Sequence, residues 1–320
     1  MLKQLAKSIR NNVNITEKRS LNPIINLVRT NSFVSQRIFS DYGEDSASIE
    51  ENEKLILFTT DGIQTEFVKN FPYGAGFSAI MVSADDIYAC GGYPIAASLV
   101  VSYADENIGK EIFRGICEGS QKFHIPIIRG HTDSNSDIYS LAISLIGEIP
   151  KNDYISARNA QIGDDILLIV DFNGKPGKAN KYYWDTATFK SSEEILFARR
   201  SMNEVAKKHL LNSAKDISNG GIFGTLYQLI EYSELGANID VDSIIIPEKL
   251  KKLKYTIEDY ANMYLTTSFI TTCREENTND AIKHFSEYNL HANKIGKITQ
   301  ETELKIHNNE EKIILFNLKK

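Results

Sequence analysis

Short apolar runs alternate with amphipathic stretches along most of the chain. The runs Leu55–Thr60, Ala96–Tyr103 and Tyr139–Gly147 predict strands in the first half, and Ile166–Val170 predicts a buried strand in the second. Helical periodicity and late apolar runs complete the pattern, with helices predicted at about 76–90, 107–123, 192–210 and 222–235, and strands at 294–298 and 312–318. The pattern predicts an α/β protein with mixed sheets.

Three polar segments do not fit a buried strand or a long helix. Residues 1–35 predict two short helices on either side of the polar stretch Asn11–Ser20. Residues 41–50 and Arg129–Asp137 are rich in turn residues, and we expect both to be loops.

Chain length and composition narrow the class of protein. A chain of 320 residues predicts two domains, which we place at 1–150 and 151–320. The net charge of −6 argues against a general nucleic-acid binder. Three widely spaced cysteines predict a reducing compartment, and no apolar run is long enough to cross a membrane or to form a signal peptide. We therefore expect a soluble, cytoplasmic protein.

Aspartates follow predicted strands and loops in the first half. Asp45 lies in a glycine-containing loop, Asp61 follows an apolar run, and Asp85 and Asp86 lie on the 76–90 helix. Carboxylate oxygens at such positions are suitable ligands for Mg²⁺. The alternative is that these acidic residues only cap helices and solvate turns.

One face of the 76–90 helix is formed almost entirely by small side chains. The face consists of Gly76, Ala79, Ser83, Asp86 and Cys90, at spacings of three and four residues. Such a face allows either a neighbouring backbone or a ligand to approach closely. The nearby Gly74-x-Gly76 resembles a dinucleotide fingerprint, but no buried strand precedes it.

Two further segments carry groups that can bind an anion. Gly130, His131 and Thr132 follow an apolar run and offer hydrogen-bond donors, although a lone histidine is more often structural. The segment Lys215–Gly221 precedes a predicted helix, so that its Ser218 or Asn219 is either an ordinary N-cap or part of an anion site.

Taken in order, six short motifs resemble those of the AIR synthase superfamily, which includes aminoimidazole ribonucleotide synthetase, thiamine-monophosphate kinase and selenophosphate synthetase. The motifs are Gly43–Ala47, Thr60–Gly62, Val82–Pro94, Gly130–Thr132, Arg158 with Gly163–Asp165, and Asp216–Gly221. Their shared order is more specific than any one of them, and the resemblance runs from about residue 40 to at least 236.

The resemblance implies an N-terminal domain whose sheet forms a barrel with that of a second copy, and a larger C-terminal α/β domain. It implies ATP and Mg²⁺ bound in a cleft, with transfer of the γ-phosphoryl group to a small molecule. It assigns metal binding to Asp45, Asp61 and Asp86, nucleotide binding to Thr60, Asp61, Gly130, His131, Thr132 and Arg158, substrate binding to Asp216, Ser218 and Asn219, and catalysis to Asp86 and His131.

The sequence departs from the family pattern at several of these positions. His131 and Asn219 stand where the thiamine-monophosphate kinase pattern has aspartates, and Glu44 replaces an aspartate. The segment after Asp61 lacks that kinase's substrate-contacting histidine, and no cysteine lies near the N-terminal loop, which argues against selenophosphate synthesis. Two alternatives therefore stay open: a non-catalytic nucleotide-binding dimer, and an unrelated α/β protein with solvated acidic loops.

Overall fold

The computed structural model describes residues 1–20, 22–134, 136–179 and 181–318. Within these ranges the helices are α1 Leu2–Arg10, α2 Val13–Ser20, α3 Asn22–Asn31, α4 Thr65–Asn70, α5 Pro72–Ala89, α6 Glu106–Phe123, α7 Ser192–Lys207, α8 Gly221–Tyr232, α9 Glu248–Lys252, α10 Ile257–Ala261 and α11 Thr278–Glu287. No helix of the described chain is both long enough and apolar enough to cross a membrane.

The strands form two large sheets and one small one. The first sheet has the order β1-β2-β3-β6-β4-β5, built from β1 Ile38–Ser40, β2 Ala47–Glu51, β3 Lys54–Ile63, β4 Tyr93–Ser102, β5 Ile127–Asp133 and β6 Ser140–Pro150. It ends at β1 and β5 and does not close into a barrel within the described chain.

The second large sheet has seven strands in the order β10-β13-β7-β14-β11-β15-β16. These strands are β7 Asp165–Val170, β10 Ser213–Asp216, β11 Gly236–Asp240, β13 Ser268–Cys273, β14 His291–Thr299, β15 Glu303–His307 and β16 Lys312–Asn317. The small sheet contains β8 Lys175–Pro176, β9 Tyr183–Asp185 and β12 Tyr264–Leu265. The predicted mixed α/β class is therefore confirmed.

Helices α5, α6 and α7 lie between the two large sheets. Leu55 and Leu57 of β3 join the same apolar cluster as Leu167 and Ile169 of β7. Gly76 lets α5 pack directly against α6, because a β-carbon there would lie 2.0 Å from the carbonyl oxygen of Ile112. The small face predicted on this helix thus admits a neighbouring backbone at its N-terminal end.

The two sheets differ in how they are covered. The other face of β7, with Ile166 and Leu168, packs under α8 and α1. No helix of the described chain covers the other face of the first sheet, and Phe58 and Val100 on it are 43% and 48% exposed. Strand β5, at the edge of that sheet, is exposed along its whole length.

Three segments differ from the sequence-based expectation. The polar stretch Asn11–Ser20 contains helix α2, because Ile15 anchors it by packing against α8. The expected loop at 41–50 contains the start of strand β2, and the loop expected from Arg129 begins as strand β5. A polar edge strand lacks the apolar alternation of a covered strand, so its pattern resembles a loop.

Candidate functional site

A cleft of about 850 Å³ lies between the two domains. Its walls come from the loop before β2, the end of β3, helix α5, the segment after β10 and the N-terminal helices. Five carboxylates and two lysines are among the described residues that line it: Glu44, Asp45, Asp61, Asp86, Asp216, Lys18 and Lys215. The cleft is therefore strongly acidic.

Three of these aspartates converge. Asp45, Asp86 and Asp216 each place a carboxylate oxygen within 4.8 Å of the others. Asp45 and Asp86 come from the first domain, whereas Asp216 ends strand β10 in the second. Side chains 171 residues apart along the chain thus meet at the domain junction, where Asp45 also accepts a hydrogen bond from the Asp216 backbone N–H at 3.0 Å.

Hydroxyl groups orient two carboxylates at the end of β3. Thr59 donates to Asp86 at 2.5 Å, and Ser83 donates to Asp61 at 2.5 Å. Ser83 and Asp86 are three residues apart on α5, so that one helix face supplies both groups. Asp61 lines the cleft beside the group of three, although it is not part of it.

The carboxylates disfavour one another's charge. Burial raises the pKa of Asp86 well above its ordinary value of 3.8, and the negative charges of Asp61, Asp216 and Asp45 raise it further. Burial and then Asp45 likewise raise the pKa of Asp216, and burial raises that of Asp61. A divalent cation would offset this repulsion, and three close carboxylate oxygens are a donor set that suits Mg²⁺.

This repulsion predicts a pH-dependent stability of the metal-free protein. Because the pKa of Asp86 is raised in the folded state, protonation of this carboxyl stabilises the fold. That stabilisation is complete below the unfolded pKa of 3.8 and is lost as pH rises through the folded pKa. We expect the melting temperature of wild type with EDTA to fall more than that of Asp86→Asn between about pH 4 and about pH 8. Differential scanning fluorimetry measures this difference, and identical pH profiles would contradict the assignment.

Two lysines supply the positive charge. Lys215 forms a buried ion pair with Asp45. Burial lowers the lysine's pKa, but the charge and hydrogen bond of Asp45 together with the charge of Asp216 raise it more, so that the net shift is upward. The Lys18 ammonium donates to the Ser218 hydroxyl at 3.3 Å. Burial, followed by the positive charge of Lys215, lowers the pKa of Lys18 to about 8.

The structure brings most of the predicted residues to this cleft, but not all. Thr60, Ser218 and Asn219 line it together with the four aspartates. The Thr60 hydroxyl, however, pairs with Ser144 at 3.0 Å, whereas the neighbouring Thr59 points its hydroxyl at Asp86. Alternation along β3 gives the two threonines opposite directions.

The second group of predicted nucleotide ligands lies elsewhere. Gly130, His131 and Thr132 belong to the exposed edge strand β5, and His131 pairs in register with Val100, whose side chain is on the uncovered face. Arg158 forms ion pairs with Asp41 at 3.3 Å and with Glu44 at 3.7 Å, beside the cleft. Within one chain, neither set lines the cleft with the aspartates.

Several residues of the site were not predicted from the sequence. Thr59 stands beside the predicted Thr60, and strand alternation was the signal that could have found it. Ser83 was placed on the small helix face with Asp86, but its role as the donor to Asp61 was not predicted. Lys215 lies within the segment singled out before α8, so its place next to Asp216 was a usable signal. Lys18 had no local signal, because its contact with Ser218 spans 200 residues.

Comparison with known proteins identifies the family of this chain. The sequence models of the AIR synthase related protein family match residues 43–149 with the N-terminal domain and residues 193–308 with the C-terminal domain. An uncharacterised Methanocaldococcus jannaschii protein is 30% identical over 321 residues, covering 100% of this chain and 98% of the relative.

Solved structures share the fold. T. maritima PurL complexed with ADP gives a TM-score of 0.72 at 13% identity, covering 88% of this chain and 47% of PurL, so this chain spans about half the length of that protein. AaThiL complexed with AMPPCP and TMP gives a TM-score of 0.68 at 18% identity, covering 93% of this chain and 97% of AaThiL.

The two family models together cover both domains of this α/β protein. The chain belongs to the AIR synthase related protein family.

Proposed function

We propose that this protein binds ATP with Mg²⁺ in the acidic cleft and transfers the γ-phosphoryl group to a small molecule, or activates that molecule through phosphate. The observation that carries the proposal is the convergence of Asp45, Asp86 and Asp216. The fold relatives PurL and AaThiL were solved with ADP and AMPPCP, respectively, which supports nucleotide binding by this fold.

Asp45, Asp61, Asp86 and Asp216 would hold Mg²⁺, which when bound neutralises charge on phosphoryl oxygens. Thr59 and Ser83 keep Asp86 and Asp61 oriented toward the cleft. Lys215 fixes Asp45 across the domain junction, so that the site is assembled only when the domains are docked. Such preorganisation supplies most of the catalysis in phosphoryl transfer.

The acceptor lies, in this proposal, on the C-terminal side of the cleft. Ser218 and Asn219 line that side, next to Asp216. Asn219 carries no charge there, so substrate recognition differs from that of a site with an aspartate at this position. We place the reaction in the cytoplasm, since Cys90, Cys117 and Cys273 form no disulfide.

We also propose a homodimer formed through the uncovered face of the first sheet. Apolar side chains on that sheet, including Phe58, Val100 and Ile128, are 43%, 48% and 66% exposed, and β5 is the last strand of the sheet within the described chain. His131 shares the face of Val100. Any contact of His131 with nucleotide phosphates, and hence its catalytic role, would therefore be made in the cleft of the other copy.

A charge at the centre of this face is expected to prevent dimer formation. Val100→Asp would bury a carboxylate in an apolar contact, which is costly without a partner. Sedimentation velocity is expected to show a dimer for wild type and for Val100→Thr, and a monomer for Val100→Asp. A wild-type protein that stays monomeric at all concentrations would contradict the proposed interface.

The test of function is ATP consumption by the purified protein, with and without Mg²⁺ and with pools of small-molecule acceptors. Turnover that needs both Mg²⁺ and an acceptor supports the proposal. The second candidate, a non-catalytic nucleotide-binding dimer, is favoured by the distance of His131 from the carboxylates of its own chain. It predicts ATP binding without consumption for every acceptor.

A further inference from the structure

The N-terminal helices α1 and α2 lie outside both matched family domains, which cover residues 43–149 and 193–308. They are nevertheless part of the second domain's core, because Leu2, Leu5 and Ile9 are buried with residues of that domain. Asn12 also donates to Asn262 at 2.7 Å. The segment is therefore docked in a defined position and is not a loose extension.

Helix α2 brings one lysine into the cleft. Ile15 packs against Gly220 and Gly224, where a β-carbon would lie 3.2 Å from its Cγ1 atom. Lys18 follows three residues later on the same helix face, and its ammonium reaches Ser218 at 3.3 Å. Among the described residues, no carboxylate lies within the ion-pairing distance of 4.0 Å of this ammonium, whereas the other lysine of the cleft is paired with Asp45.

Helix α8 adds positive charge beside Lys18. Helix α8 begins at Gly221 with no side-chain cap, so its first backbone N–H groups carry the partial positive charge of a helix start. Tyr264 also lines the cleft, and its buried hydroxyl has no hydrogen-bond partner among the described residues. The Lys18 ammonium and the start of α8 thus bring positive charge to the same side of the cleft, at Ser218.

We propose that Lys18, Ser218 and the first turn of α8 form a subsite for a phosphate-type oxyanion, placed between the N-terminal helices and the aspartate cluster. The two candidate ligands named next rest on the proposed function. The oxyanion is either the γ-phosphate of the nucleotide or an anionic group of the acceptor. In both cases the segment 1–20 completes the cleft and helps to select its ligand.

The test compares the full-length wild type with Lys18→Met, Lys18→Arg and the exposed-lysine control Lys7→Met by isothermal titration calorimetry with Mg²⁺ present. The first arm measures ADP and AMPPCP affinities. The second titrates inorganic phosphate into protein loaded with AMPPCP and into nucleotide-free protein. A hydrogen bond to a charged group corresponds to an affinity loss of about tenfold or more.

If the subsite holds the γ-phosphate, Lys18→Met weakens AMPPCP by that factor and leaves ADP unchanged. If it holds the acceptor's group, Lys18→Met weakens phosphate binding to the AMPPCP-loaded protein and leaves both nucleotides unchanged. In either case Lys18→Arg and Lys7→Met stay near wild type.

The proposal is overturned if Lys18→Met binds AMPPCP and phosphate as wild type does. It is also overturned if Lys18→Met only tightens Mg²⁺ binding, since Lys18 would then merely neutralise carboxylates. A wild type that binds no nucleotide removes the proposed function instead, and phosphate binding to the nucleotide-free protein then decides the subsite by itself.

Discussion

Asp86→Asn is expected to reduce ATP turnover by roughly 10²–10³-fold while leaving the metal-free protein as stable as wild type or more stable. The activity falls because the cluster loses the carboxylate that Thr59 aims at its centre. Stability does not fall, because the pKa of Asp86 is raised by burial and by the neighbouring aspartates, and the neutral amide relieves that repulsion.

The opposite signs of the two effects separate a functional carboxylate from a structural one. Steady-state ATP consumption and urea unfolding with EDTA give the two quantities. Asp280→Asn, an exposed aspartate in the first turn of α11, serves as the matched control and is expected to change neither. An Asp86→Asn protein that keeps full turnover would contradict the role assigned to this side chain.

Arg199→Met is expected to lower the free energy of unfolding by about 3–5 kcal/mol. Arg199 of α7 donates to both carboxylate oxygens of Asp85 on α5, at 2.7 and 3.1 Å, and both side chains are almost completely buried. Removing the arginine leaves Asp85, among the described residues, with a single 3.3 Å hydrogen bond from the Thr267 backbone N–H. A buried carboxylate without its counterion is costly, which gives the large effect.

Urea unfolding measures this loss, with Arg114→Met as the control. Arg114 forms an exposed ion pair with Glu111 on α6, which stabilises by at most about 1 kcal/mol. Adding Asp85→Leu to Arg199→Met is expected to recover much of the loss, because no charge then stays buried. Equal, small effects of Arg199→Met and Arg114→Met would contradict the structural role of this pair.

Asp85 and Asp86 show how far the sequence predicts the site. Both stand on the predicted helix, and the motif order and the small helix face select Asp86, but no pattern predicts that Asp85 pairs with Arg199. That difference depends on how α7 packs against α5, 114 residues further along the chain. Local periodicity predicts helices and strands well where one side is apolar, as for α5 and β3.

Segments stabilised mainly by distant contacts were predicted less well. Strand β5 has a polar, exposed sequence and is a strand because β4 supplies its backbone partner. Helix α2 has a polar sequence and is anchored by Ile15 on α8. For the same reason Lys18 could not be found from the sequence, since its cleft is formed by residues 200 positions away.

Anomalous scattering from crystals grown with AMPPCP and Mn²⁺ in place of Mg²⁺ tests the central claim most directly. The account predicts a manganese peak bound by oxygens of Asp45, Asp86 and Asp216, next to the phosphates of the analogue. Nucleotide bound elsewhere, or manganese bound away from these three carboxylates, would contradict it.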